Sequence, residues 1–208
     1  MRNPILVGDR VYLRPLETTD AVAFADATAT ETTTFSKSGR LPLSPLVFER
    51  EFAGTVPDRP PGAISFGVAR IADDQLLGSV ALLDIEWVNR TAETASYLLG
   101  EDVRGQGYGT EAKMLLLEYA FDRIQLHVVQ SWVRSTNTRS ANALVRQGYR
   151  LAGRRYWKGF QAGAYVDHLI FDLLRDEWVA AREVWRSSVA TRNAGNEQER
   201  WLGTDQHD

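Results

Sequence analysis

The chain has 208 residues, no cysteine and a formal net charge of −3, with 44% hydrophobic and 25% charged residues. This length allows one domain, or one domain with a tail, and the composition suits a globular fold with a sizeable core. The absence of cysteine excludes disulfides, thiolate metal sites and cysteine nucleophiles, and it fits a cytoplasmic protein. No apolar run approaches the ~20 residues that cross a bilayer, so we expect no membrane contact.

The first half of the chain alternates between extended and helical patterns. Strands are predicted at residues 11–15, 64–71, 76–87 and 92–99. A helix that Thr18 or Asp20 caps should end near residue 28. Residues 30–61 contain a predicted helix over 46–53 between two Pro-rich connections. The connections between the last three strands are short, which predicts antiparallel hairpins.

The second half alternates more clearly. Helices are predicted over 107–123, 138–147 and 176–189, and strands over 126–133, 149–157 and 164–173. The helix after residue 107 connects two strands through a crossover, so the strands at 92–99 and 126–133 should be parallel. The fold class is therefore α+β, with a mixed sheet that is mostly antiparallel and partly parallel. The chain is polar from residue 190 onward, which predicts a single domain over 1–189 and a disordered tail over 190–208.

A glycine-rich stretch, Arg104-Gly105-Gln106-Gly107-Tyr108-Gly109-Thr110, lies between a predicted strand and a predicted helix. Three glycines in five residues let the backbone turn tightly and direct consecutive N–H groups into one concavity. The positive end of the helix adds to this concavity, which predicts a pyrophosphate site. A P-loop is excluded because no lysine follows at the required spacing. A dinucleotide fingerprint is excluded because position 110 is threonine and no acidic residue lies near position 130.

The spacing of Arg104, Gly107 and Gly109 fits the motif Arg/Gln-x-x-Gly-x-Gly/Ala. From about Asp9 to Trp178 the chain resembles the GNAT superfamily of acyl-CoA-dependent N-acetyltransferases, which carries this motif. The resemblance implies that acetyl-CoA is the acyl-donating co-substrate. The backbone N–H groups that would hold its pyrophosphate belong to Arg104, Gly105, Gln106, Gly107, Tyr108, Gly109 and Thr110. The alternative is a surface loop whose glycines only cap two elements.

The same resemblance implies a GNAT-like sheet in which two neighbouring strands splay apart around the pantetheine arm. The backbone at Leu98 and Leu99 would then pair with the pantetheine amides, much as a neighbouring strand would. Splayed strands leave backbone groups without partners unless a ligand lies between them.

A second segment, Asn137-Thr138-Arg139-Ser140 through Gly148-Tyr149, resembles the Asn-x-x-Ser…Gly-Phe segment of the RimJ/RimL-type branch. That branch acetylates the N-terminal amine of ribosomal proteins. Many other GNAT enzymes carry a tyrosine seven residues after the Asn, where it protonates the leaving thiolate, but this chain has Leu144 there. The resemblance therefore assigns Ser140 to the thiolate and Asn137 to the cofactor site.

Acetyl transfer requires a neutral amine, so a carboxylate that acts directly or through water is the expected base. Glu93 lies on the strand that leads to the glycine-rich stretch and points into the cleft if the alternation holds. The alternatives are that Glu93 is a solvated charge, or that water suffices because an α-amine has a low pKa. His168 is a weaker candidate, since a lone strand histidine is more often packed or on the surface. Asp167, Glu86 and Trp87 are expected on the substrate side.

The charge distribution is uneven. Between Asp122 and Asp167 the chain has no Asp or Glu but has seven Arg and Lys158. This segment would place positive charge beside the glycine-rich stretch and suits the phosphates of coenzyme A. There are two alternatives for this basic segment. It is a solvated face of the protein, or it binds RNA or an acidic protein surface. The negative net charge argues against DNA as a partner.

No histidine and carboxylate spacing fits a metal site, so no metal is predicted. Trp132, Trp157 and Trp178 are expected to be structural, and a homodimer stays open.

These patterns predict an N-acetyltransferase whose acceptor is a protein or peptide N-terminal amine. A small-molecule amine such as an antibiotic, or a non-catalytic acyl-CoA-binding module, are the alternatives. A fold with an intact cofactor loop says little about the acceptor.

Overall fold

The computed structural model describes residues 1–30, 43–53 and 60–203, with side chains up to residue 191. The described strands are β1 (Leu6–Val7), β2 (Val11–Arg14), β3 (Ile64–Arg70), β4 (Leu76–Glu86), β5 (Thr91–Leu98), β6 (Val128–Arg134), β7 (Arg150–Gln161) and β8 (Ala164–Leu174). The described α-helices are α1 (Ala21–Thr30), α2 (Pro45–Ala53), α3 (Tyr108–Glu118), α4 (Thr138–Arg146) and α5 (Arg175–Gly203). A 3-10 turn, Thr18–Asp20, precedes α1, and a π turn, Tyr119–Arg123, continues α3.

The strands form one mixed sheet in the order β1-β2-β3-β4-β5-β6-β8-β7. Neighbouring strands are antiparallel except β5 and β6, which are parallel. The predicted fold class, the antiparallel hairpins and the parallel pair are therefore confirmed. The parallel pairing ends at Glu93 opposite Gln130, whereas β5 stays paired with β4 as far as Leu98. The two parallel strands thus separate beyond Glu93, as the predicted splay requires.

The core lies mainly between the sheet and helix α3. Ala112 and Leu116 of α3 and Ala120 of the π turn recur at helical spacing and are fully buried. They form one apolar cluster with residues of β2, β3 and β4. On the same cluster, Trp178 of α5 stacks on Phe121 with ring centroids 5.1 Å apart. Helix α3 therefore has a rigid base that fixes the position of its first turn.

The start of α1 differs from the prediction. Asp20 ends a 3-10 turn, and its carboxylate accepts the N–H of Glu17 at 2.9 Å. Two hydrogen bonds from Arg14, of 2.7 and 2.8 Å, bind the same carboxylate in the interior. Burial alone would raise the pKa of Asp20, but the hydrogen bonds from Arg14 and Glu17 outweigh it and lower the pKa. Asp20 thus ties β2 to the start of α1.

The C-terminal helix also differs from the prediction. It begins at Arg175, near the predicted start, but continues to Gly203, so the backbone is helical past residue 190 where disorder was predicted. The domain boundary at residue 190 stays a prediction. No described helix is long and apolar enough to cross a membrane. Much of the predicted Pro-rich region, residues 31–42 and 54–59, lies outside the described residues.

Candidate functional site

The glycine-rich stretch forms an exposed loop at the start of α3. Gly105 and Gly107 have positive φ angles of 81° and 87°, which glycine adopts without strain. Gly107 is the N-cap of α3, and its carbonyl accepts the N–H groups of Thr110 and Glu111, each at 3.1 Å. Within the described part of the chain, the N–H groups of residues 105–109 donate no backbone hydrogen bond. Five donors at a helix N-terminus are a suitable cradle for a pyrophosphate.

Two of the predicted donors are used inside the protein. The N–H of Arg104 donates to Glu101 at 3.1 Å and that of Thr110 donates to Gly107. The side chain of Arg104 also donates to the carbonyl of Leu98 at 3.1 Å, so it connects the loop to the end of β5. The N–H groups of residues 105–109 are thus the ones that make no backbone hydrogen bond in the described structure, and the role of residues 104–110 toward a pyrophosphate stays a prediction.

A buried carboxylate that the sequence analysis missed holds this loop in place. Glu111, 4% exposed, accepts the N–H groups of Asp9 and Arg10 at 2.7 Å and that of Val11 at 3.2 Å. The Arg10 guanidinium lies 3.3 Å from the other oxygen of Glu111 and donates to the Gln106 carbonyl at 3.0 Å. The signal in the sequence was an acidic residue in the first turn of α3, where the helix dipole favours it.

The backbone groups of successive residues at the end of β5 face alternately toward β4 and toward β6. The N–H of Leu99 donates to the carbonyl of Leu77 at 2.8 Å, so Leu99 is turned toward β4. Because strand residues alternate, the backbone groups of Ser96 and Leu98 face the gap between β5 and β6. The carbonyl of Leu98 already accepts from the N–H of Gly100 and from the Arg104 side chain. The N–H of Leu99 completes the pairing with β4, and the role of the Leu98 and Leu99 backbone toward the pantetheine arm stays a prediction.

Three side-chain hydroxyl groups form hydrogen bonds at the position where the gap between β5 and β6 begins. The Thr94 and Tyr149 hydroxyls are 2.8 Å apart, and that of Thr94 donates to the Gln130 carbonyl at 3.2 Å. Ser131 donates to the Thr94 carbonyl at 3.1 Å. Burial raises the pKa of the Tyr149 hydroxyl, which keeps it protonated. These polar residues at inward strand positions were the signal that the sequence analysis overlooked.

The first turn of α4 brings Asn137 and Ser140 together. The Asn137 side chain is the N-cap, and its oxygen accepts the N–H of Ser140 at 3.1 Å. At the other end of α4, Gly148 has a φ of 96°, consistent with the predicted helix end. Asn137 thus has an observed structural role, and it positions Ser140, whose side chain is half-buried. The roles of Ser140 toward the thiolate and of Asn137 toward the cofactor stay predictions.

Glu93 is half-buried at the last paired position before the gap. One carboxylate oxygen accepts the indole N–H of Trp132 at 2.8 Å, and Trp132 stacks flat on His168 with ring centroids 4.2 Å apart. Among the described residues, no hydrogen bond engages the other oxygen of Glu93. Glu93 is thus a positioned carboxylate with one oxygen left for a ligand, and its role as a base stays a prediction.

A lysine that the sequence analysis did not consider lies in α3 behind the loop. Lys113 is 4% exposed. Desolvation lowers its pKa to about 7, and the negative charge of Glu93 partly opposes this shift. Lys113, on the helix that follows the glycine-rich loop, therefore interacts electrostatically with the carboxylate of Glu93 at the gap.

The remaining candidates on β8 are buried. His168, 8% exposed, has a pKa lowered first by burial and then by the charges of nearby arginine and lysine residues. Asp167 accepts the side chain of Arg154 and the N–H of Trp157, the latter at 2.8 Å. Asp167 therefore fastens the β7–β8 hairpin. Trp157 itself is 74% exposed, so its expected structural role is wrong.

Glu86 and Trp87 lie at the end of β4. Glu86 is exposed, and the half-buried Trp87 donates its indole N–H to the carbonyl of Pro61 at 2.8 Å. Both were expected on the substrate side, and this stays a prediction. Within the described ranges, no group of three His, Asp or Glu side chains could hold a metal ion.

A family model described as an acetyltransferase (GNAT) domain matches residues 10–150. A provisionally named N-acetyltransferase of Bacillus subtilis strain 168, YjcK, is 26% identical over 180 residues, covering 83% of this chain and 98% of that protein. The provisionally named ribosomal N-acetyltransferase YdaF of the same strain is 29% identical over 106 residues, covering 51% of this chain and 57% of that protein.

Among solved structures, spermidine N-acetyltransferase from Vibrio cholerae in complex with CoA and spermine has a TM-score of 0.71 and 20% identity. The likeness covers 81% of this chain and 98% of that one. A chimera of the Vibrio cholerae enzyme SpeG and hSSAT has a TM-score of 0.73 and 20% identity, covering 82% and 99%. At these identities the likeness establishes a shared fold.

Proposed function

Because this chain belongs to the GNAT acetyltransferase family, we propose that it acetylates the N-terminal amine of a protein or peptide. It is an acyl-CoA-dependent N-acetyltransferase, and acetyl-CoA supplies the activated acetyl group when bound. The fit is supported by the five N–H donors of residues 105–109, by the gap between β5 and β6, and by Glu93 at the start of that gap.

The observation that carries the choice of acceptor is the positive charge on the flank beyond Glu93. Trp132 contacts Glu93 on one side and His168 on the other. In the strand registers His168 lies opposite Arg134 of β6 and opposite Arg155 of β7, so this flank carries cationic side chains. A polyamine brings several positive charges, and like charges disfavour its approach. A peptide N-terminus brings a single amine, and the side chains that follow it need not be positively charged.

In this proposal each residue has one role. The N–H groups of residues 105–109 bind the pyrophosphate, and the backbone of Ser96 and Leu98 orients the pantetheine arm. The free oxygen of Glu93 takes the amine proton, directly or through a water molecule, so that the neutral nitrogen can attack the thioester carbonyl. The hydroxyl of Ser140 donates a proton to the leaving thiolate and takes up the proton that the attacking nitrogen loses as the amide forms, so the serine ends neutral. An α-amine has a lower pKa than a lysine side chain and therefore needs less help from the base.

An acetyl-CoA turnover screen tests the acceptor, with thiol release as the readout. The acceptors are a short peptide with a free N-terminus, the same peptide with a formylated N-terminus and an internal lysine, an amine antibiotic, and spermidine. We expect kcat/KM to be highest for the free N-terminus, with mass spectrometry locating the acetyl group on the first residue. Faster turnover of spermidine or of the antibiotic would replace this proposal with a small-molecule acceptor.

A further inference from the structure

At the end of the pairing between β5 and β6, side-chain hydrogen bonds replace backbone ones. The pairing ends at Glu93 opposite Gln130. In a continued parallel ladder, the carbonyl of Thr94 would accept the next N–H that β6 directs toward β5, which is that of Trp132. The Thr94 carbonyl instead accepts the hydroxyl of Ser131 at 3.1 Å. One side-chain hydroxyl therefore competes for the acceptor that the next step of pairing requires.

Two further hydrogen bonds hold Thr94 in this arrangement. Its own hydroxyl donates to the Gln130 carbonyl at 3.2 Å, so its oxygen accepts the proton of the Tyr149 hydroxyl, 2.8 Å away. Burial raises the pKa of Tyr149, so the phenol keeps the proton that it donates. The ring of Tyr149 belongs to the apolar core, which fixes the position of its hydroxyl. We call Thr94, Ser131 and Tyr149 the hydroxyl cluster.

The hydroxyl cluster lies in the interior of the protein. All three side chains are buried, and each makes a hydrogen bond. A buried hydroxyl is costly unless it finds a partner, whereas an apolar side chain of similar shape would pack without that requirement. Core packing alone therefore does not require three hydroxyls at the one point where the two strands separate.

In the free protein, closure of the gap would be favourable without such a cluster. Pairing one step further would join the Trp132 N–H to the Thr94 carbonyl and the Ser96 N–H to the Trp132 carbonyl. A typical intramolecular hydrogen bond contributes modestly but favourably to stability. A protein whose binding-competent form is only partly populated binds its ligand more weakly in proportion. A gap that stays open without a ligand therefore gives a higher affinity for the molecule that enters it.

We infer that the hydroxyl cluster holds the gap between β5 and β6 open in the free protein, which makes Thr94 and Ser131 positioning residues for the pantetheine arm of acetyl-CoA. They act through the backbone of Ser96 and Leu98, which stays directed toward the pantetheine arm instead of pairing with β6. The inference rests on the proposed function, which places the pantetheine arm in this gap.

The first test uses Ser131→Ala, which frees the Thr94 carbonyl for the N–H of Trp132. Calorimetric titration of CoA should give a Kd about tenfold higher than that of the wild type, the factor that corresponds to about one hydrogen bond. The kcat at saturating acetyl-CoA should stay within a few-fold, because the gap is open in both proteins once the cofactor is bound. The matched control is Ser65→Ala at an exposed position of β3, which should keep the Kd of the wild type.

Hydrogen exchange of the free protein, followed by NMR at single amides, separates this role from a merely structural one. In Ser131→Ala the backbone amides of Trp132 and Ser96 should exchange more slowly than in the wild type, because closure gives both of them an acceptor. Removal of a serine that only stabilised the sheet would have the opposite result, with faster exchange at both amides. The direction of the change therefore decides between the two roles.

A second variant tests the cluster without changing Ser131. Thr94→Val combined with Tyr149→Phe removes both partners of one hydrogen bond and leaves no buried hydroxyl without an acceptor. Its Kd for CoA should rise several-fold, and less than in Ser131→Ala, because Ser131 still binds the Thr94 carbonyl. Thr94→Ser keeps the hydroxyl and should bind CoA as the wild type does.

Weaker binding of CoA together with slower exchange at Trp132 and Ser96 supports the inference. An unchanged Kd, or faster exchange at these amides, overturns it, and the proposed function stands if peptides are still acetylated. Binding of CoA without turnover of any peptide overturns the proposed acceptor alone, because the Kd and exchange results still decide the inference. A wild type that does not bind CoA overturns both.

Discussion

The candidate site has a donor end, where acetyl-CoA would bind, and an acceptor end, where the amine would bind. The two ends differ in whether backbone groups or side chains form them. The donor end consists of backbone N–H groups on a loop that one buried carboxylate, Glu111, holds through three N–H contacts and Arg10. The acceptor end consists of side chains: the half-buried Glu93 has one hydrogen bond, and the buried His168 has a ring nitrogen with no hydrogen-bond partner in the described structure. A backbone cradle suits a ligand shared by a whole family. Side chains can be exchanged by substitution, so they suit a ligand that differs from one family member to another.

The largest expected effect is at the donor end, where Gly107→Val should abolish binding of acetyl-CoA. The residue has a φ of 87°, and a Cβ there would lie 3.0 Å from the Arg10 guanidinium. Acetyl-CoA should raise the melting temperature of the wild type, because a ligand of the native state alone shifts unfolding. The variant should show no such rise at millimolar acetyl-CoA. Gly153→Val, where the Cβ would meet nothing within 4 Å, should keep the rise. A rise retained by Gly107→Val would remove the loop from the binding site.

At the acceptor end, Glu93→Gln should lower kcat by about 10²-fold or more, the usual range for a lost general base. The loss should be larger with a lysine-type amine than with an α-amine, since the more basic amine requires more deprotonation. Glu183→Gln, at an exposed position of α5, is the control and should leave the rate unchanged. Equal losses on both amines would instead indicate that Glu93 holds the substrate ammonium.

Ser140→Ala tests the point where the two ends meet. The hydroxyl is proposed to act as the thiolate develops, so kcat should fall by about 10²-fold with little change in the affinity for acetyl-CoA. The N-cap bond from Asn137 uses the backbone N–H of Ser140 and survives the substitution. Single-turnover rates with saturating acetyl-CoA measure this loss. A rate within a few-fold of the wild type would indicate that solvent protonates the thiolate.

Glu111→Ala should loosen the donor end without touching the acceptor end. The substitution leaves three backbone N–H groups without their buried acceptor, which should lower the free energy of unfolding by about 1–3 kcal/mol. The KM for acetyl-CoA should rise while the KM for the amine stays constant. Glu101→Ala is the matched control, because Glu101 is 95% exposed and pairs with Arg104 only on the surface. Urea titrations measure the free energy of unfolding, and initial rates give the KM for acetyl-CoA. Equal values of both quantities for the two variants would contradict the role of Glu111 in holding the loop.

A last prediction concerns the pH dependence of stability and Lys113, which lies in the donor helix but is influenced by the charge of Glu93. Burial lowers its pKa from the usual 10.5 to about 7, so between these values the unfolded chain binds more protons than the native one. Stability should therefore rise with pH from about 7 toward 10. Lys113→Met should remove this rise and stabilise the protein at pH 7 by a few kcal/mol, since one pKa unit corresponds to about 1.4 kcal/mol. Urea titrations of both proteins at pH 7 and pH 9 measure it, and parallel pH dependence would contradict it.

The donor end was largely predictable because its signals are local. Gly107, Gly109 and the helix that begins at Tyr108 are within a few residues of one another, and their conformations follow from short-range sterics. The parallel pairing of β5 with β6 followed from the length of the crossover. What the local pattern could not show was which N–H groups the protein uses itself, as with Arg104, Leu99 and Thr110.

The sequence by itself determined the mixed sheet, the order of its elements and the loop at the start of α3, because periodicity and turn chemistry act over short distances. The tertiary structure alone decided that Glu111 holds a turn about 100 residues away and that Trp132 joins Glu93 to His168. It also decided that Trp157 is exposed and that Asp167 fastens a hairpin. Such contacts depend on which strands become neighbours and in which register. A shift of one residue would turn each of these strand side chains to the other face of the sheet.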